Sequence, residues 1–125
     1  MDIGMQTEIV NGVHLFFVAD QGPALGSEDD ALDLIGQTYG SAAEMLVVPA
    51  ARFAPHFFEL ANKQAGHFFQ KLQNYRMRLA IVGDISAPLA ASGALRDFVG
   101  ETNRIGHHLF VADRAALDAA LGSKA

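Results

Sequence analysis

The chain has no cysteine. That removes disulfides, thiolate nucleophiles and thiolate metal ligands, and fits a reducing compartment. Long apolar runs are missing as well. Stretches such as "LFFVA" and "MLVVPAA" fall far short of the ~20 residues of a membrane span. The opening "MDIGMQTEIV" begins with an acid and has neither the basic nor the apolar region of a secretory signal. Positive charge is scarce. Nine Lys and Arg stand against fourteen Asp and Glu, a formal net charge of −5, and no basic cluster is longer than Arg76-x-Arg78. A basic stripe for nucleic acid and a cationic amphipathic helix for a membrane surface are therefore both excluded. Several reaction signatures are absent. There is no G-x-S-x-G, no Walker loop, no G-x-G-x-x-G and no H-E-x-x-H. The expectation is a cytoplasmic protein without membrane insertion, nucleic-acid partner or cofactor.

What is present is enough for one core. Half of the 125 residues are hydrophobic, and a chain of this length forms a single domain, here 1–125. "NG" at Asn11–Gly12 between two apolar stretches predicts a hairpin of Thr7–Val10 with His14–Ala19. Ser27, with Asp30 three positions on, predicts an N-cap. Leu32, Ile35 and Tyr39 follow at helical spacing. "MLVVP" predicts the third strand, Met45 to Pro49. Pro55 suits the first position of a long helix from Pro55 to Leu72, which would place Phe57, Ala61, Ala65, Phe68 and Leu72 on one face. Met77–Val82 predicts the fourth strand. Ser92 caps a helix with Leu95, Phe98, Val99 and Thr102 inward, "HHLFVA" forms the fifth strand, and Asp113 caps a last helix ending near Gly122. The order is β-β-α-β-α-β-α-β-α. It predicts an α/β fold with a mainly parallel five-stranded sheet, an N-terminal hairpin and helices on both faces.

Chemistry concentrates where "RLAIVGDIS" stops being apolar. In an open α/β sheet the carboxyl ends of the strands form the usual ligand edge. Asp20, Asp84 and Asp113 each follow a strand. Asp113 reads as a helix cap and Asp20 as turn chemistry, which leaves Asp84 as the least explained carboxylate. Candidate ligand- or partner-binding residues are Asp84, Ser86, Arg96, Asn103 and Arg104. The five histidines predict no metal site. His56 and His67 would lie roughly 16 Å apart along a helix axis, and His107 and His108 would point to opposite faces of a strand. The long helix carries more phenylalanine than one buried stripe needs. Phe58 and Phe69 are therefore candidates for an interface, with a homodimer or a protein partner as occupant, or for contact with a small apolar ligand.

"DALDLIGQTYG", "FFELANKQAGHFFQKLQNYRMRLAIVGDIS" and "LRDFVGETNRIGHHLFVAD", taken in order, resemble a bacterial family known as a domain of unknown function, DUF4180. The resemblance runs from about Asp30 to Leu117 and implies no established activity and no assigned catalytic residues. His67 stands after Gly66, where the family pattern carries an acid. The element order also looks like the STAS and SpoIIAA-like proteins, which include anti-sigma-factor antagonists. In those antagonists a phosphorylatable serine begins the helix after the third strand; here that loop is "PAARFAP", with neither serine nor threonine. The missing reaction signatures and the excess of phenylalanine on one helix lead to the expectation of a non-enzymatic, STAS-like regulatory module that binds a protein partner or a small apolar ligand. The alternative is an enzyme or phosphotransfer domain using Asp84. A receiver-type phosphotransfer site would need an acidic pair after the first parallel strand and a lysine after the fifth, and "HHLFVADR" offers no lysine.

Overall fold

Asn11 and Gly12 have φ of 49° and 82°, both positive, as a two-residue type I′ turn requires. They join β1 (Thr7–Val10) to an antiparallel β2 (Val13–Phe17). A computed structural model describes residues 7–122 of the chain. After the hairpin come α1 (Glu28–Gln37), β3 (Met45–Pro49), three short 3₁₀ turns, α2 (Gln64–Asn74), β4 (Arg78–Val82), α3 (Ser86–Ala91), α4 (Gly93–Ile105), β5 (Leu109–Val111) and α5 (Arg114–Gly122). The strands lie in the sheet in chain order, β1-β2-β3-β4-β5. The β2–β3, β3–β4 and β4–β5 pairs are parallel. The sheet is thus mixed rather than mainly parallel, because the tight turn at Asn11–Gly12 can only reverse the chain.

Strands laid down one after another by crossovers of one hand send their connecting helices to the same face. On that face Phe16, Leu46, Val48, Leu79, Ile81 and Phe110 meet apolar residues of α1, α2 and α4. The alternate residues Leu15, Met45, Val47, Ala80 and Leu109 meet Leu117 and Leu121 of α5. The period of two along each strand produces both cores, which is why the strands read as continuous apolar runs. Helices do stand on both faces, unequally: among the described residues α5 alone serves the second.

Ser27 closes a capping box at the start of α1. Its hydroxyl accepts the Asp30 N–H at 3.1 Å and the Asp30 carboxylate accepts the Ser27 N–H at 3.0 Å. The buried side of α1 is Ala31, Leu34 and Ile35; Leu32 and Tyr39 are exposed, so the inward stripe is rotated from the Leu32–Ile35–Tyr39 row.

The expected helix from Pro55 to Leu72 does not form as one piece. Residues Ala50–Arg52, Pro55–Phe58 and Leu60–Asn62 make 3₁₀ turns, Lys63 takes a left-handed φ of 66°, and α2 begins only at Gln64. Aromatic packing gives the reason. In a continuous helix Phe57 and Phe68 would sit three turns, ~16 Å, apart. The folded-back chain brings their ring centroids to 5.4 Å, and Phe53 stacks on Phe57 at 4.3 Å. Both Phe57 and Phe68 are fully buried. α3, a short helix between β4 and the Ser92-capped α4, carries no fully buried residue and so leaves no apolar stripe in the sequence.

Candidate binding cleft at the carboxyl edge

β4 ends at Val82, and Gly83 follows with a φ of 147°. A Cβ on Gly83 would lie 2.9 Å from the Ala50 Cβ, so glycine is required twice over, for the backbone angle and for the close approach to the chain leaving β3. The Gly83 N–H donates to the Val111 carbonyl at 2.9 Å. This carries the β4–β5 pairing one residue beyond the strand and turns Asp84 over the edge. The Asp84 Oδ1 accepts the Ser86 N–H at 2.9 Å, an Asx turn that opens α3. The Ser86 hydroxyl and then the Ser86 N–H hold the exposed Asp84 carboxyl below its ordinary range, so it is ionised at neutral pH.

Behind Asp84 lies a cleft of about 320 Å³ between the end of β4, α3, α4 and β5. Ile81, Leu89, Val99 and Phe110 make an apolar floor, and Asp84, Ser86 and Asn103 supply the polar groups. Three of the five residues singled out in the sequence therefore meet in one place. Asn103 is already engaged. Its Nδ2 donates to the Phe110 carbonyl at 3.0 Å and its Oδ1 accepts the Phe110 N–H at 2.7 Å. β5 is the last strand of the sheet, so Asn103 pairs the open edge as a neighbouring strand would.

Arg96 and Arg104 do not line the cleft. Arg96 donates to the Leu89 carbonyl at 2.7 Å and so ties α4 to the end of α3. Arg104 is exposed and paired with Glu101. That pairing holds the Glu101 carboxyl down and the guanidinium up, through the hydrogen bond first and charge second. Phe58 and Phe69, expected at an interface, are 8% and 7% exposed. They belong to the core of the single chain: Phe58 packs edge-on to Phe53 and Phe57, and Phe69 touches Phe98 and Phe110. The other two strand-end aspartates do not line the cleft. Asp113 caps α5 through the Ala116 N–H at 2.9 Å, and Asp20 is exposed on the loop after β2. Among the described residues no group of three or more histidine, aspartate or glutamate side chains is placed to hold a metal ion.

Two residues matter that the sequence did not single out. Arg52 is 9% exposed and donates to the Ala19 carbonyl at 2.6 Å and the Pro23 carbonyl at 3.1 Å, lashing the loop after β2 to the chain after β3. A lone arginine in an apolar strand exit was its only signal. His108 is the other. It was expected to point away from His107, but β5 starts only at Leu109, and the two rings lie 4.7 Å apart. The His108 Nδ1 accepts the Leu79 N–H at 3.0 Å. Burial, then the nearby His107 and Arg78, lower its pKa to about 4.

A mixed five-stranded α/β sheet with an apolar, carboxylate-rimmed cleft at the carboxyl ends of its strands defines the class: a small α/β protein with a ligand-sized edge site. Within that class, the chain belongs to the family described as Domain of unknown function (DUF4180), whose family model matches residues 10–121. No curated protein and no solved structure matches the chain. Among the described residues no helix is long and apolar enough to cross a membrane.

Proposed function

We propose that the chain is a non-enzymatic, STAS-like recognition module with a regulatory role, and that the Asp84 cleft takes up an apolar group carrying an N–H donor or a cation. That group belongs to a small molecule or to a side chain of a protein partner. The hairpin-first element order supports the STAS-like reading. The carrying observation for binding is the lining itself: an ionised Asp84 stands at the rim of an otherwise apolar cleft. Such a site rewards apolar contact and a matching positive group together. The same lining weighs against the phosphotransfer alternative. Among the described residues no lysine, arginine or histidine borders the cleft, so a phosphoryl group on Asp84 would meet no cationic side chain of theirs there.

The test is a titration with benzylamine, an apolar cation small enough for the cleft. Asp84→Asn, which keeps the Asx turn, should weaken binding about tenfold. Leu89→Lys, at a half-buried wall position, should abolish it by setting a like charge beside the ligand and pairing with Asp84. Equal affinity of the native chain and Asp84→Asn would overturn the proposal.

A further inference from the structure

His108 carries a hydrogen-bond donor that the described chain does not use. Its Nδ1 accepts the Leu79 N–H, so the ring is neutral and its one N–H sits on Nε2. That nitrogen is buried and has no hydrogen-bond partner, on a residue only 8% exposed. Buried polar groups are nearly always paired, and an exception calls for a reason. The ring forms part of the wall of a groove of about 280 Å³ between α2, α4 and the entry to β5, together with Phe69, Phe98, Thr102, Ile105 and His107. No residue of this groove belongs to the Asp84 cleft, and among the described residues no acidic side chain lines it. The charge beside it is positive. The Arg78 guanidinium donates to the His107 carbonyl at 2.9 Å and the Gly106 carbonyl at 3.3 Å.

We propose that this groove binds a small carboxylic acid with an apolar tail, the carboxylate accepting the His108 Nε2–H and the tail lying on Phe69, Phe98 and Ile105. A carboxylate suits the site better than a neutral acceptor, because a donor and the Arg78 charge stand close by with no acid among the lining residues. The half-buried Phe98 and the exposed Ile105 form the outer wall, and their outward shift admits the ligand to a nitrogen that water does not reach.

Hexanoate, hexanol and hexylamine added to the ¹⁵N-labelled chain at neutral pH test this. Hexanoate should shift the His108 ring resonances and the amides of Phe98 and Ile105, and should bind more tightly than hexanol, with hexylamine weakest. His108→Asn retains an acceptor for the Leu79 N–H but loses the Nε2 donor, and should weaken hexanoate about tenfold, ~1.4 kcal/mol. Ile105→Glu changes an exposed residue, leaves the fold intact whatever befalls the histidine variant, and should weaken hexanoate more than hexanol. Asp84→Asn should leave hexanoate binding unchanged. Equal affinity for hexanoate and hexanol, unaltered affinity in folded His108→Asn, or no shift at His108 would overturn the proposal.

Discussion

His108 is held neutral by its neighbours. Burial disfavours a charge on the ring, and His107 and then Arg78 beside it disfavour it further; protonating Nδ1 would also break its bond with the Leu79 N–H. Its pKa therefore falls from 6.5 to about 4 on folding. Between those values the unfolded chain takes up a proton that the folded chain refuses. The stability from this group is complete above pH 6.5 and drains away as the pH falls toward 4. Urea unfolding of the native chain from pH 7 down to 4 should lose about 3 kcal/mol more than His108→Asn loses over the same range; parallel pH profiles would contradict it. Gly83 makes a second residue-level case. Gly83→Ala meets both a φ of 147° and a 2.9 Å contact with Ala50. It should cost about 1–3 kcal/mol in thermal unfolding, and a loss under about 0.5 kcal/mol would show that the edge relaxes. The end of the apolar run at this glycine was legible in "RLAIVGDIS". The histidine was not, because its role depends on where β5 begins, and strand ends leave little trace in composition.

Elements were legible where local chemistry decides them and obscure where distant packing does. The Asn11–Gly12 turn, the Ser27 and Ser92 caps and the Met45–Pro49 strand follow from short-range rules. The Pro55–Leu72 helix does not, because the Phe53, Phe57 and Phe68 cluster overrides a sound helical periodicity. The break at Lys63 carries a cost of its own: a left-handed non-glycine residue is disfavoured by about 1–2 kcal/mol, partly offset in glycine by its greater freedom when unfolded. Lys63→Gly should therefore stabilise the chain by about 0.5 kcal/mol in a denaturant titration, and a destabilisation would contradict the break. Asn103 acts at the same scale by pairing the free edge of β5. Asn103→Ala should cost about 1–2 kcal/mol and make the chain more prone to associate through the uncovered strand, seen by light scattering. A stable, monodisperse variant would show that β5 needs no such cover. From sequence Asn103 looked available for a ligand; its pairing with Phe110 depends on how α4 lies along β5.

At the scale of the molecule, the two faces of the sheet are covered unequally. Three helices cover one face, and α5 crosses the other, tied to β1 by Arg114, which pairs with Glu8 at 2.7 Å and stands 5.1 Å from the centre of the Phe17 ring. The phenylalanines that suggested an external interface are consumed by the core, leaving Ile9, Leu32, Tyr39, Tyr75 and Ile105 as the exposed large apolar residues among the described ones. The candidate site was half legible: "GDIS" and Asn103 do meet, whereas Arg96 and Arg104 turn to local partners. The most direct test of the central claim is an amide ¹H–¹⁵N spectrum of the native chain during addition of benzylamine. The account predicts saturable shifts confined to residues 81–89, 99–103 and 110–112. A spectrum unchanged to about 10 mM, beyond the weakest affinity of interest, or shifts centred elsewhere, would contradict a binding site at Asp84.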